Sequence, residues 1–241
     1  MNDVETVTIG GICISSFNSF DDIIEGMVSK YRATGFATVI AVNPEKIVAA
    51  RDSLVIKNIL LDSDIKYPDG VGVSKVMSWR LGRPVVRLPG CELWERLMKY
   101  SGDNNLRVFL VGGSDEVLNE TVNKLKANYT INLCGSSNGY FKSEESLIQK
   151  IKSSCPSVVT VAMGSPRQEE FIFKCKKAGI NAIYMGVGGS YDVYTGRVKR
   201  APAFFRKFGL EWLYRLCSQP TRFKRQISLV RYFFLVILKK I

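Results

Sequence analysis

The chain has 241 residues, 46% hydrophobic and 23% charged, which excludes a disordered protein and fits one globular domain, with or without an appendage. It contains no histidine, so Ser-His-Asp triads, Cys-His dyads and nearly all common catalytic zinc sites are excluded. The net charge of +12 is concentrated in residues 197–241, where 12 Lys and Arg residues stand against one acidic residue, Glu211. An enzyme of this composition is expected to use Asp or Glu as its general base.

Strands and helices are predicted to alternate along residues 1–196. Short runs rich in β-branched residues predict strands at 7–14, 38–42, 65–67, 107–111, 130–134, 157–163 and 182–187. Helices are predicted at 19–33, from 44, from 70 to about 81, after 90, and at 114–127, 144–152 and 166–178. The start signals include a capping box at Ser19 and a proline, Pro44, at a first helical position. This order predicts an α/β fold with a Rossmann-like, mostly parallel sheet flanked by helices.

Residues 197–241 are predicted to form a separate, basic and amphipathic helical appendage. Residues 204–216 and 222–238 both have helical character, and Pro220 separates them. Their aromatic and aliphatic faces oppose Arg and Lys, which is typical of a helix lying in the plane of a membrane surface. The alternative is a pair of core-docked helices with a solvated basic face. The longest apolar run, Tyr232–Leu238, is too short to span a bilayer.

Several loops that follow predicted strands carry residues suited to ligands, which bind at the carboxyl ends of parallel strands. Gly112 and Gly113 lead into a helix N-terminus, where free N–H groups favour a phosphate. A tight turn explains the pair equally well, since neither GxGxxG nor a P-loop is present. Gly188 lies in a second glycine-rich loop, 186–189, which either brings the backbone close to a ligand or makes a sharp turn.

The acidic residues leave more than one candidate for a base and for a metal site. The carboxylates that compete for the base role are Glu45, Asp69, Glu169, Asp192 and Glu211. The DxD pattern at 62–64 holds a divalent metal in many sugar-nucleotide transferases. Here we interpret it as a surface turn between a helix and a short strand. The six cysteines contain no CxxC pair, so a zinc site is not expected.

Basic residues after Gly189 form the other candidate site. They are Arg197, Lys199, Arg200, Arg215, Arg222 and Arg225. Arginines can neutralise a diphosphate through bidentate hydrogen bonds. The alternative interpretation is that these residues form a solvent-exposed basic surface without a ligand. A basic tail also suits nucleic acid, but the aromatic and aliphatic run at 232–238 favours lipid.

As a set, ten segments resemble the WecG/TagA/CpsF family of bacterial glycosyltransferases from about Val7 to Leu235. They are NPEK at 43–46, YPDG at 67–70, RLPG at 87–90, VFLVGG at 108–113, GYF at 139–141, MGSPRQE at 163–169, GVGGSYD at 186–192, GLEWLYR at 209–215, SQP at 218–220 and RQ at 225–226. The resemblance implies transfer of a sugar, with inversion and without metal or cofactor, from a UDP donor to a polyprenyl-diphosphate-linked amino sugar. Residues 1–196 would then be the glycosyltransferase core and 197–241 its membrane-proximal appendage.

The resemblance also implies roles for individual residues. Asp69 matches the proposed base, and Asn43 and Gln168 match pocket residues. Arg215, Arg222 and Arg225 match tail arginines that bind the diphosphate or close the site. Many members have Thr where this chain has Ala41, so a hydroxyl contact is expected to be missing or replaced.

The motifs are most similar to the enterobacterial branch of the family. Its members transfer N-acetylmannosaminuronic acid onto N-acetylglucosaminyl-diphospho-undecaprenol, which makes lipid II of enterobacterial common antigen. The donor's carboxylate would pair with Arg87 or Arg167. The teichoic-acid branch uses N-acetylmannosamine and the same acceptor.

The expected location follows from the ends of the chain. The acidic start, MNDVE at 1–5, lacks the apolar core of a secretory signal, so we expect a cytoplasmic protein, peripheral on the inner face of the cytoplasmic membrane. The expected partners are the UDP-sugar, the lipid-linked acceptor and the membrane surface, without nucleic acid; a homo-oligomer is left open. The rival from another class is a non-catalytic, membrane-peripheral binding protein.

Overall fold

The structure is a computed structural model that describes residues 4–199, 201–202, 204–205, 214 and 223–241, except the side chains of 223–226. Its centre is a six-stranded parallel sheet in the order β4-β3-β8-β7-β5-β6. These strands are β3 (Ala37–Val42), β4 (Ile65–Pro68), β5 (Arg107–Gly112), β6 (Asn132–Ser137), β7 (Val158–Ala162) and β8 (Ile183–Gly186). The predicted α/β class with a parallel sheet is therefore confirmed.

Helices follow or precede each of these strands. They are α1 (Phe20–Thr34), α2 (Pro44–Asp52), α3 (Leu54–Asp62), α4 (Val71–Leu81), α5 (Gly90–Asp103), α6 (Asp115–Asn128), α7 (Glu144–Ser153), α8 (Arg167–Lys177), α9 (Ser190–Thr195) and α10 (Phe223–Ile237). The predicted starts are confirmed at Ser19, whose hydroxyl accepts from the Asp22 N–H, and at Pro44, the first residue of α2. Local capping chemistry therefore sets several of the boundaries.

Two strand predictions were wrong in detail. The single strand predicted at 7–14 is an antiparallel hairpin, β1 (Thr6–Ile9) and β2 (Ile12–Ser15), because Gly10 and Gly11 both adopt positive φ and turn the chain. The strand predicted at 130–134 begins and ends later, as β6, because it pairs with β5 through a bulge at Val108/Phe109. A Cβ at Gly135 would lie 2.4 Å from the ring of Phe109, so only glycine fits at position 135 of β6.

Alternate residues of the strands fill two cores, one on each face of the sheet. The first face packs against α1, α5 and α6, with Trp94 among the fully buried side chains. The second face packs against α7 and α8, and further along against α2, α4 and the β1–β2 hairpin. In β3, Val39 belongs to the first core and Ile40 to the second, as the period of two requires.

The helix α10 is packed against the second core. Tyr232 and Leu235 are buried there, and the Arg231 guanidinium contacts both carboxylate oxygens of Asp52, with Nη2–Oδ1 at 2.8 Å. Among the described side chains of this segment, six others that are apolar are exposed: Ile227, Val230, Phe233, Phe234, Ile237 and Leu238. One face of α10 therefore packs on the second core, whereas a second apolar face is exposed to solvent. The first predicted tail helix lies largely outside the described residues.

Within the described part of the chain, no helix combines the length and the hydropathy that crossing a bilayer requires.

Candidate active site

The order of the strands creates a crevice between the carboxyl ends of β5 and β7. From β5 the chain continues through α6 to β6 on one side, and from β7 it continues through α8 to β8 on the other. The helices α6 and α8 lie on opposite faces of the sheet. Open α/β sheets bind ligands at such a switch point. The loops predicted to bear the site follow β3, β4, β5, β7 and β8. All of them leave the sheet at the carboxyl ends of the strands.

Asp69 follows β4 and is held by the start of α5. Its Oδ1 accepts the N–H of Gly90, the first residue of α5, at 2.9 Å. The helix has Pro89 as its N-cap residue and no side-chain cap of its own, so the carboxylate of Asp69 takes that position. A helix N-terminus stabilises negative charge, and Asp69 is only partly buried. The arrangement presents an oriented carboxylate at the edge of the sheet, as a general base requires.

The turn that carries Asp69 is packed too tightly for side chains at its glycines. A Cβ at Gly70 would lie 2.8 Å from Cδ of Pro44, and a Cβ at Gly72 would lie 3.0 Å from Cγ of the same proline. On the other side, the Tyr232 hydroxyl of α10 donates to the carbonyl of Gly72 at 3.4 Å. The turn is therefore clamped between the start of α2 and the C-terminal helix.

Asn43 caps α2 next to this turn. Its Oδ1 accepts the N–H of Lys46 at 2.9 Å, and its Cβ lies 3.4 Å from the point where a Cβ of Gly70 would be. Asn43 and Asp69 are thus neighbours, as their predicted pocket requires. Because the carbonyl oxygen serves as a cap, the amide Nδ2 is the group best placed to meet a ligand. A contact between Asn43 and substrate stays a prediction.

Gln168 and Glu169, at the start of α8, connect three loops. The Lys46 ammonium lies 2.8 Å from Oε1 of Glu169, and both side chains are nearly buried. Gln168 Nε2 donates to the same Oε1 at 2.9 Å, and Gln168 Oε1 accepts the N–H of Gly188 at 2.9 Å. These contacts account for Glu169 as a partner of Lys46, which weakens its case as the base. The pairing of Lys46 with Glu169 was not predicted from the sequence, although the two residues lie in the NPEK and MGSPRQE segments.

Gly112 and Gly113 form a tight turn that ties β5 to β7. Their φ angles are +115° and +72°, and a Cβ at Gly112 would lie 2.3 Å from the carbonyl oxygen of Ala162. The N–H of Gly113 donates to that same oxygen at 3.1 Å. The turn interpretation therefore explains both glycines. Phosphate binding at α6 stays a prediction, and acidic Asp115 and Glu116 in its first turn do not favour it.

Two other glycines leave the backbone bare at this edge. Gly164 and Gly188 have φ angles of +77° and +53°, and no described atom lies within 4 Å of the position that a Cβ would take. Gly164 follows β7 and Gly188 follows the neighbouring strand β8, so both lie at the carboxyl end of the sheet. A ligand can approach the main chain closely at these points.

The neighbourhood of Ala41 contains an unexpected tyrosine. Ala41 and Tyr67 are register partners in β3 and β4, and the Tyr67 hydroxyl lies 3.2 Å from the point where a Cβ of Gly90 would be. This hydroxyl is buried without a hydrogen-bond partner among the described residues. Burial, with the nearby charge of Asp69, raises the pKa of Tyr67, so the group stays protonated. A threonine at 41, as in many relatives, would lie beside it.

Of the remaining candidates, some lie outside the described residues and the others have the following positions. Arg215, Arg222 and Glu211 lie outside the described residues, and so does the side chain of Arg225. Arg87 is partly buried just before α5, Arg167 is exposed at the first position of α8, and Asp192 lies in α9. Tyr191 is a packing residue: it is fully buried against Trp94, and its hydroxyl lies 2.7 Å from Oγ1 of Thr160.

The DxD pattern lies at the amino end of β4, whereas Asp69 lies at its carboxyl end. Asp64 precedes β4, and its Oδ2 accepts from the N–H and the hydroxyl of Thr38 at 2.9 and 2.6 Å. Asp64 is also paired with Lys30 and Lys176. Among the described residues, no group of three acidic or cysteine side chains is arranged to hold a metal ion. The turn interpretation of the pattern fits these contacts.

Comparison with known families gives a match over almost the whole chain. The family model described as "Glycosyl transferase WecG/TagA/CpsF family" matches residues 7–241. The match includes the hairpin except its first residue, all six strands of the sheet and α10. The resemblance that the ten motif segments indicated is thereby confirmed at the level of the family.

Proposed function

The chain belongs to the WecG/TagA/CpsF family of glycosyltransferases, and from that premise we propose the reaction that it catalyses. It transfers N-acetylmannosaminuronic acid from UDP to N-acetylglucosaminyl-diphospho-undecaprenol, with inversion and without metal. The product is lipid II of enterobacterial common antigen. Membership of the family gives the coarser part of this statement, a glycosyltransferase with a nucleotide-sugar donor. The sugar, the lipid acceptor and the metal independence are the proposed part.

The observation that carries the mechanism is the position of Asp69. Its carboxylate accepts the Gly90 N–H and lies at the carboxyl end of the sheet, the end from which the candidate loops leave. In the proposed step, Asp69 takes the proton from the acceptor hydroxyl, and the hydroxyl oxygen bonds to the anomeric carbon as the bond to UDP breaks. Without a histidine in the chain, a carboxylate is the side chain best suited to this role at neutral pH.

The leaving diphosphate gains negative charge in this step and needs positive partners. We propose Arg215, Arg222 and Arg225 for this role, with Gly188 and its neighbours supplying backbone close to the ligand. Arginines that bind oxygen pairs stabilise such charge as it develops. The donor's own carboxylate is assigned to Arg87, which is partly buried before α5 at this edge of the sheet, with the exposed Arg167 as the other candidate.

The exposed face of α10 supports a location on a membrane surface. Its aromatic and aliphatic side chains are solvent-exposed while the opposite face is docked, and Lys239 and Lys240 follow the helix. An apolar face with adjacent lysines suits the boundary of a bilayer rich in anionic lipid. We propose that α10 docks on the inner face of the cytoplasmic membrane, where a lipid-linked acceptor is presented. The same docking would suit a non-catalytic binding protein, which the assay below tests.

The test is a transfer assay with defined donors. Purified protein is incubated with a short-chain prenyl-diphosphate N-acetylglucosamine acceptor and excess chelator. UDP-N-acetylmannosaminuronic acid and UDP-N-acetylmannosamine are supplied separately, and UDP release and product mass are measured. We expect transfer from the uronic acid donor.

Each other result has a defined meaning. Transfer from the neutral donor alone would assign the protein to the teichoic-acid type of reaction with the same acceptor. Activity that requires added metal would contradict the metal-independent mechanism. Absence of transfer from either donor, in folded and vesicle-bound protein, would contradict the proposed reaction and favour a binding protein.

A further inference from the structure

A nearly buried ion pair lies at the carboxyl end of the sheet and joins two of its loops. Lys46 and Glu169 have side chains that are 11% and 3% exposed, and they join the helices that follow β3 and β7, the two neighbours of β8. Buried ion pairs rarely stabilise a fold more than apolar residues would, because both charges lose their hydration. Glu169 Oε2 is also buried without a hydrogen-bond partner among the described residues, a further cost. Such a cost suggests that the pair serves the site.

The charge of Glu169 determines which way the Gln168 carboxamide points. A carboxylate only accepts hydrogen bonds, so the Gln168 group that faces it must be the NH2, at 2.9 Å. The carbonyl oxygen of Gln168 is then left to accept the N–H of Gly188, also at 2.9 Å. A reversed amide would place oxygen against oxygen and NH2 against N–H. Glu169 therefore sets both contacts of Gln168 at once.

Gln168 in turn holds the loop that follows β8 at the carboxyl end of the sheet. Gly188 has φ +53° and open space above its backbone, and the Gln168 bond is what holds its N–H. A Cβ at Gly186 would lie 2.7 Å from Gln168 Nε2, so a glycine at 186 makes room for this carboxamide. The loop from Gly186 to Gly189 thus takes its shape around Gln168.

From these contacts we infer that Lys46 and Glu169 are positioning residues for the UDP part of the donor. They hold Gln168, and through it the Gly188 backbone, in the form that binds the nucleotide. Gln168, at 4% exposure, then acts mainly as a connector within the protein. This inference rests on the proposed use of a UDP-sugar at this edge.

The first test measures UDP binding by titration calorimetry in the full chain. The variants are Lys46→Met, Glu169→Gln and the double variant. Each single change is expected to raise the Kd for UDP about tenfold, and the double change no more than either single one, because the pair acts as a unit. The matched control is the exposed pair Lys99 and Asp103, where Lys99→Met and Asp103→Asn are expected to leave UDP binding unchanged. In the transfer assay, the donor KM rises while kcat changes less than about threefold, since Asp69 is untouched.

A second variant reaches Gln168 without altering either charge. Gly186→Ala is expected to displace the Gln168 carboxamide and to raise the Kd for UDP to a similar extent, in protein that still unfolds cooperatively. This variant keeps the test open if Glu169→Gln does not fold. Wild-type UDP affinity in Gly186→Ala, or losses that add in the double variant and follow the melting temperature, would overturn the inference. A wild type that binds no UDP would instead contradict the proposed function.

Discussion

One strand, β4, has an aspartate at each end, and the two carboxylates have opposite surroundings. Asp64 precedes the strand, accepts two hydrogen bonds from Thr38 and is paired with Lys30 and Lys176. Asp69 follows it, accepts the N–H at the start of α5 and is adjacent to Asn43 at the carboxyl end of the sheet. The five-residue separation places the two ends about 16 Å apart. The same side chain is therefore structural at the amino end of a parallel strand and suited to chemistry at its carboxyl end.

The largest effect is expected when the charge of Asp69, at the carboxyl end of β4, is removed. Asp69→Asn keeps the size of the side chain and an oxygen that can accept from Gly90, but it cannot take a proton. We expect kcat to fall about 1,000-fold, within the range that a general base contributes, with the Kd for UDP changed less than twofold. UDP release under saturating substrates and calorimetry with UDP measure the two quantities. Retained turnover would transfer the base role to another carboxylate.

The matching change at the amino end should affect stability and leave catalysis intact. Asp64→Asn removes a charge that holds Thr38 and two lysines, and we expect the free energy of unfolding to fall by about 1–3 kcal/mol. The turnover of the folded protein should stay within twofold of the wild type, and chelator should not alter it. Urea denaturation and the transfer assay check the two statements. A loss of turnover as large as that of Asp69→Asn would mean that the DxD pattern takes part in the reaction.

The contrast between these aspartates shows what the sequence reveals and what it leaves undecided. The alternation of strand and helix patterns predicted the parallel sheet, and Pro44 and Ser19 predicted helix starts, because these signals act over a few residues. Asp64 and Asp69 could both be placed beside one short strand from the sequence. The spacing of the acidic residues in the sequence could not identify the general base. That choice depends on which loops lie together at the carboxyl end of the sheet.

The offset of β6 and the pairing of Lys46 with Glu169 depend on long-range partners. β6 is offset because its pairing with β5 and the ring of Phe109 determine which residues extend the sheet. The contact between Lys46 and Glu169 joins residues 123 apart, and only the position of β8 between β3 and β7 brings them together. The hairpin was missed because apolar residues continue on both sides of Gly10 and Gly11, which hides a turn from a periodicity argument.

The C-terminal helix also contacts the segment that follows Asp69, because the Tyr232 hydroxyl donates to the carbonyl of Gly72. Replacing both Phe233 and Phe234 by Ser removes apolar surface from the exposed face, where the two rings are 61% and 57% exposed. We expect binding to anionic vesicles to weaken at least about tenfold, with little change in melting temperature. Co-sedimentation measures the partition, and Tyr140→Ser, an exposed aromatic after the far edge strand, is the control. Unchanged vesicle binding would contradict docking through α10.

The smallest expected effect concerns the pH dependence of stability at the amino end. Burial of Asp64 opposes its ionisation, but the hydrogen bonds from Thr38 and the charges of Lys176 and Lys30 outweigh burial and lower its pKa below the ordinary value of 3.8. A carboxyl whose pKa is lower in the folded state stabilises the protein above its unfolded pKa, and this contribution is lost as the pH falls through the folded pKa. The stability difference between wild type and Asp64→Asn should therefore be constant above about pH 5 and shrink below about pH 4. Denaturation curves between pH 3 and 7 measure that difference, and a gap that stays constant down to pH 3 would show that the charge of Asp64 contributes nothing to folding.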